Sequence, residues 1–242
     1  MWPALRVRLL FGGFAAGLLL AGGWSSASGG EWAASVAVQN DFQFRGYALG
    51  LNRPVAIANF AYDHASGYYG AASAIGVLER EDGPELLGAI VNVGYARRLS
   101  SGVTLEGGLI GVQYFDLYGA EQSAAYGEAY LGVLARGLST RIYYSPRYFD
   151  TGSATVYAEV EAAAALAPKL RLRAHVGALS FLGGRGDAVQ TSTQLDWAVG
   201  ASRQLGPLEL HATINGGGPA AEYYQGRPHE KAAIVAGVIW SF

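Results

Sequence analysis

The stretch Ile234-Val235-Ala236-Gly237-Val238-Ile239-Trp240-Ser241-Phe242 decides the fold. Successive side chains of an extended strand point to opposite sides, so Ile234, Ala236, Val238, Trp240 and Phe242 share one face. A strand facing water has little reason to gather two aromatics and several aliphatics on a single side. A strand that closes a barrel inside a lipid bilayer needs such a side, because its outward residues must be apolar and its interfacial residues aromatic.

The same alternation recurs upstream. In Thr155 to Leu166 the residues Val156, Ala158, Val160, Ala162, Ala164 and Leu166 fall on one face, and Thr155, Tyr157, Glu159 and Glu161 on the other. After Ala167-Pro168-Lys169, the row Leu170, Leu172, Ala174, Val176 and Ala178 opposes Arg171, Arg173 and His175. Six alternate apolar positions fit 180° per residue and do not fit the 100° of a helix. Pairing these two segments as a hairpin puts the Glu row beside the Arg and His row. Ala125 to Arg136, Gln194 to Ser202 and Leu208 to Asn215 divide in the same way. Val36 to Arg45, Val55 to His64, Tyr68 to Leu78, Leu86 to Arg97 and Val103 to Phe115 alternate less cleanly and are read as the first five strands. With one further strand between the Arg136-Gly137 turn and Thr155, the total is twelve.

Connection lengths orient the strands. Every even-to-odd connection is a tight turn: His64 to Gly67, Leu99 to Ser101, Arg136-Gly137, Ala167 to Lys169 and Gln204 to Gly206. The odd-to-even connections, among them Arg80 to Pro84, Asp116 to Ser123, Leu182 to Gln190 and Gly216 to Glu230, are generally longer. Short turns at one end and longer loops at the other fit an outer-membrane barrel with its loops outside. An even strand number returns both termini to the periplasm, and closure leaves no unpaired edge in lipid.

At the other end of the chain, Arg6 and Arg8 precede an uncharged run from Leu9 to Ala21, and Ser25-Ser26-Ala27 offers small residues for cleavage. The run is shorter than the roughly 20 residues that span a bilayer. Residues 1–27 are therefore expected to be a cleaved signal peptide and residues 28–242 a single barrel domain. Loss of Arg6 and Arg8 would leave 15 basic against 19 acidic residues, which does not suggest a nucleic-acid surface. Only Lys169 and Lys231 are lysines, so arginine carries the positive charge and suits persistent bidentate pairing. The chain contains no cysteine, which excludes a lipidated amino terminus, thiolate chemistry and disulfides. Thirty-five glycines, 15 tyrosines and 15% charged residues, with no later apolar block, suit diluted alternating strands better than membrane helices. The fold class expected is all-β: one 12-stranded antiparallel up-and-down transmembrane β-barrel.

Several segments also resemble a known family. Asp41-Phe42-Gln43-Phe44-Arg45-Gly46, Arg53-Pro54 and Phe60 to Gly70 resemble the start of the TorF family of porins. Tyr126 to Gly132, Tyr143-Tyr144-Ser145-Pro146-Arg147-Tyr148-Phe149 and Asp196-Trp197-Ala198-Val199-Gly200 resemble its later landmarks. The terminal Phe242 is similar to the final residue of bacterial outer-membrane proteins, where it belongs to the assembly signal. The resemblance implies an outer-membrane barrel acting as a porin. It carries no catalytic or ligand residues.

If apolar rows face lipid, polar rows face the lumen. The residues expected to line it are Asp41 and Arg45 of the first strand, together with Gln39 and Gln43, then Asn59, Asp63 and Glu106. Later strands add Glu128, Tyr130, Arg141, Tyr143, Glu159, Glu161, Arg171, Arg173, His175, Asp196, Glu209 and His211. Opposed charged walls could orient a small polar solute in transit. The same groups could instead pair and plug a narrow barrel, since twelve strands enclose less space than 16 to 18. Pattern alone does not choose between an open and a plugged interior. Tyr68, Tyr69, Tyr144, Tyr148 and Trp240 are read as interfacial girdle residues.

Three functions follow in order of preference. The first is passive passage of small hydrophilic or charged solutes across the outer membrane, with lipid as the surrounding partner and no cofactor or metal. The second is a sealed structural or adhesive barrel whose long sixth loop, Gly216 to Glu230, binds a partner. The third, a lipid-facing hydrolase, needs a serine, a histidine base and an orienting group on the outer rim. His175 and His211 lie on polar rows, His64 in a turn and His229 in a loop, and none pairs convincingly with an outward serine. Arg185-Gly186-Asp187 spells an adhesion tripeptide, a match too short to carry a function.

Overall fold

Period-two alternation is realised in twelve strands of eight to fifteen residues: β1 (Glu31–Gln39), β2 (Val55–Asp63), β3 (Tyr68–Leu78), β4 (Pro84–Arg98), β5 (Thr104–Leu117) and β6 (Gln122–Ala135). They continue as β7 (Leu138–Ser145), β8 (Ala154–Ala167), β9 (Leu170–Leu182), β10 (Gln194–Leu205), β11 (Leu208–Gly218) and β12 (Ala232–Ser241). The computed structural model describes residues 30–50, 52–78, 83–117, 122–149, 153–182, 193–218, 223–224, 227–228 and 232–242. The signal peptide expected at 1–27, the tripeptide 185–187, His229 and most of the sixth loop lie outside them.

Each strand pairs antiparallel with its chain neighbours, and β1 pairs with β12 to close the cylinder. That seam runs from Ser35 opposite Ser241 to Gln39 opposite Gly237. At its upper end Asn40 adds a rung with its side chain: the amide donates to Ile234 O at 2.9 Å, and Oδ1 accepts from the Ala236 N–H at 2.7 Å. At its lower end the Phe242 N–H donates to Ala34 O at 3.0 Å.

The turns follow local chemistry. Arg136-Gly137 is a two-residue hairpin turn with both residues at positive φ, 44° and 84°, the hand that matches strand twist. Short turns gather at the end where β2 meets β3, called the turn end below. The opposite, loop end holds the longer connections.

Outward rows are apolar around the whole wall. Leu131 is 74% exposed and Phe242 68%, and Val133, Ile142, Val199, Ile214, Ile234 and Trp240 are exposed as well. An apolar surface this continuous is a lipid-facing surface. Val176, midway along β9, stands between Val160 and Trp197 on the neighbouring strands, all three outward. Val176→Arg is expected to cost about 2–4 kcal/mol of folding free energy in lipid, as a lipid-facing charge at the midplane of a barrel does. Reversible urea unfolding from vesicles measures it, and Val176→Ala should fall well below that cost.

Inside, tyrosines fold over glycines on the adjoining strand. A Cβ on Gly177 would overlap the Tyr157 hydroxyl, and one on Gly108 would stand 2.8 Å from that of Tyr130. The abundance of both residue types follows from this packing.

The described structure departs from the sequence expectation in three places. Strand β1 ends at Gln39, so Asp41, Gln43 and Arg45 belong to the connection that follows it, which turns back into the barrel. The inward rows near the loop end are aliphatic: Val55, Ile57, Ile75, Val77, Leu87 and Leu179 are all nearly inaccessible. Tyr69 and Tyr148 are buried inside and do not belong to the girdle, whereas Tyr68, Tyr144 and Trp240 are exposed on the outer face.

Candidate functional site in the barrel lumen

Between Gln39 and Val55 the chain crosses into the lumen as a small hairpin, Gln43–Phe44 pairing with Tyr47–Ala48. Its base is tied by Asp41. Oδ1 accepts the N–H groups of Phe42 at 2.8 Å and Asn52 at 3.2 Å, and Oδ2 accepts the Gln43 side-chain amide. Leu49 and Gly50 donate their N–H groups to Phe42 O at 2.8 and 3.1 Å. Asp41, 1% exposed, is therefore a loop-folding residue.

The hairpin tip is Arg45-Gly46, with φ of 48° and 78°. Gly46 is required twice, because L residues resist that φ and because a Cβ would overlap the backbone N of Gly218. The hairpin packs its apolar side, Phe42, Phe44, Tyr47 and Leu49, against the aliphatic inward rows, and all four are buried. Across the lumen, Tyr114 stacks on Phe149 with ring centroids 5.7 Å apart and planes 1° apart. Tyr126 meets both Phe149 and Tyr148 at 4.9 Å. The loop-end half of the barrel is thus filled by an apolar and aromatic core.

Arg45 reaches the far wall. Its Nη1 and Nη2 donate to Glu128 Oε1 and Oε2, each at 2.7 Å, in a bidentate pair whose side chains are 4% and 2% exposed. The guanidinium carbon also lies 4.1 Å from the ring centre of Tyr157 and 5.0 Å from that of Tyr143. Tyr47 donates its hydroxyl to Gln194 on β10.

Below this level the lumen is polar. Arg141 on β7 donates Nε to Glu106 on β5, and its Nη1 lies 3.8 Å from Glu159 and 3.9 Å from Glu161 on β8. Tyr143 donates to Glu159 at 2.6 Å. Tyr69, 3.4 Å from Glu106, shares a hydroxyl contact with Tyr130, which donates to Asn92 at 3.2 Å. A second group sits across β8, β9 and β10: His175 Nε2 is 2.7 Å from Asp196 Oδ1, and the Tyr157 hydroxyl is 3.1 Å from the same nitrogen. Asn59 accepts from Ser73 at 2.6 Å. Asp63, Arg171, Arg173, Glu209 and His211 continue the inward rows toward the turn end.

The nineteen residues named from the sequence fall on inward rows of the strands or on the inserted segment between residues 40 and 54. They form distinct groups: Arg45 with Glu128, Glu106 with Arg141, Glu159 and Glu161, and His175 with Asp196. The pairing expected between the rows of β8 and β9 is met at Glu161, directly opposite His175. Glu159, however, stands opposite Arg141 on β7. Phe44, Tyr47, Tyr148 and Phe149 were missed as lumen-filling residues, and Tyr157, placed on an inward row, was not named among the lining candidates. The available signal was the 15-residue connection from 40 to 54, long for a hairpin loop and centred on Arg-Gly.

A closed twelve-strand barrel with an apolar outside and ionisable groups within defines the class: the architecture of outer-membrane β-barrels. The chain belongs to the Gcw_chp family of bacterial proteins of unknown function, whose profile matches residues 24–233. Among solved structures it is similar to the NanC porin, with 9% identity, a TM-score of 0.55, and coverage of 87% of this chain and 98% of that one. The KdgM porin gives 11% identity, a TM-score of 0.53, and coverage of 87% and 99%. A further structure is the KdgM porin in complex with disordered oligogalacturonate, at 12% identity and a TM-score of 0.52. No curated protein matches in sequence. At these identities the likeness is one of fold, which is the porin-like barrel that the TorF resemblance implies.

Proposed function

We propose that this protein is an outer-membrane channel for small hydrophilic or charged solutes, held closed at its loop end by the inward hairpin. The observation that carries the reading is the cylinder's inversion of polarity, with ionisable side chains inside and apolar ones against lipid. Such an interior is costly to build and gives a sealed scaffold no advantage over an aliphatic filling. In this reading residues 1–27 are a cleaved signal peptide, residues 28–242 form the barrel, both termini face the periplasm, and the chain is kin to the TorF family of porins. The charged residues below the hairpin then line the solute path: Glu106, Glu128, Arg141, Glu159, Glu161, Arg171, Arg173, His175, Asp196, Glu209 and His211. The KdgM complex with oligogalacturonate supports passage of a polar solute through a barrel of this shape.

A second reading, a sealed barrel, is favoured by one observation: the apolar core that fills the loop-end half. Planar bilayers separate the two. A gated channel gives rare discrete current steps from the wild-type barrel. A sealed barrel gives none, even after the hairpin is removed.

A further inference from the structure

We propose that the lumen contains a recognition site for guanidinium-bearing solutes, occupied in this structure by the chain's own Arg45. The inference rests on the channel reading for the route by which a solute arrives. The site itself is built by the wall. Glu128 comes from β6, Tyr143 from β7 and Tyr157 from β8, and Tyr148 closes it from the connection between β7 and β8, its ring centre 5.7 Å from the Arg45 guanidinium carbon. Phe44, 5.0 Å from the same carbon, travels with the hairpin.

The chemistry fits a planar cation and little else. A carboxylate that accepts two parallel N–H groups at 2.7 Å reads the fork of a guanidinium, which an ammonium lacks. Tyrosine faces at 4.1 and 5.0 Å add attraction to a delocalised charge. Beneath the cage stand further acids: Tyr143 donates to Glu159 at 2.6 Å, and the Tyr157 hydroxyl to Asp196 at 3.2 Å. With Arg45 withdrawn, Glu128 would be a buried carboxylate with its cation gone. The vacated cage therefore draws in a cation of the same shape.

Arg45 is also a displaceable occupant. It holds a left-handed backbone conformation, φ 48°, which non-glycine residues adopt at a cost. Arg45 is held on a packed hairpin and so competes at an effective concentration above the millimolar value of a short flexible tether, and free guanidinium compounds are expected to displace it only above that range. A solute that takes the cage thereby frees the hairpin tip, coupling recognition to opening.

The test uses the full barrel with Arg45→Ala, with and without Glu128→Gln. In Arg45→Ala, millimolar guanidinium chloride should restore thermal stability lost with the arginine, and equal urea should not. The same salt should block the variant's current at concentrations about tenfold lower than it blocks Arg45→Ala/Glu128→Gln, because the bidentate contact is gone in the latter. Rescue and block that vanish with Glu128 establish the site. Current without rescue or block overturns the site and leaves the channel standing. Rescue without current overturns the channel and leaves the cage. Should Arg45→Ala fail to assemble, Arg45→Lys keeps the charge but not the fork, and the same rescue and block measured on it decide between the same outcomes.

Discussion

Replacing residues 41–52 with a short glycine-serine linker should turn a nearly silent barrel into a persistently conducting one, with time-averaged current rising on the order of tenfold or more, since lumen cross-section sets conduction in barrels of fixed strand number. The replaced segment supplies Phe42, Phe44, Tyr47 and Leu49 to the loop-end core and Arg45 to the cage. Without it the aliphatic rows of β2, β3 and β4 face water, and seven strand carboxylates, Asp63, Glu106, Glu128, Glu159, Glu161, Asp196 and Glu209, outnumber the guanidiniums of Arg141, Arg171 and Arg173. The opened pore is expected to favour cations, read as a reversal potential shifted toward the cation equilibrium in a salt gradient. Stability should fall too, because the segment buries four large apolar side chains. Heat-modified mobility on gels checks that the barrel still closes. A folded, silent replacement would sink the channel reading.

Arg141→Ala should be the most destabilising single change in the polar half, by about 3–5 kcal/mol, the cost of stripping one partner from a buried ion group. Arg141 is the cation shared by Glu106, Glu159 and Glu161, whose side chains are 0%, 1% and 15% exposed. Its removal leaves three carboxylates facing one another in a space with little water. Urea unfolding from vesicles measures the loss. Arg141→Met combined with Glu106→Gln should recover a large part of it, because the pair then leaves together. A loss below about 1 kcal/mol would mean that the lumen is wet enough to screen these charges, as surface ion pairs are.

How much of the structure was legible depended on distance along the chain. The outward rows of β8 to β12 were legible because alternation is local and lipid tolerates no exception: Val156 to Leu166 and Ile234 to Phe242 state their facing directly. Tight turns gave the strand number for the same reason. The hairpin was not legible, because what holds it are contacts 83 residues apart, Arg45 to Glu128, and 147 apart, Tyr47 to Gln194. No window of sequence contains either. Its insertion also explains why the second and third strands alternated poorly. Val55, Ile57, Ile75 and Val77 face inward against the hairpin while their neighbours face lipid, so both sides of those segments read as apolar. Tyr69 and Tyr148 were misassigned because a tyrosine suits a membrane interface and a lumen equally well, having an apolar ring and one polar tip.

Asn40 gives the inserted segment a defined starting point. Its side-chain amide stands in for a peptide group on the last strand at the residue where the chain leaves the wall. The cylinder is thereby clasped just ahead of the hinge. If the segment beyond swings out of the bore, as the channel reading requires, it would do so without unzipping the junction of first and last strands, and the gate would work inside a frame that stays shut to the surrounding fatty chains.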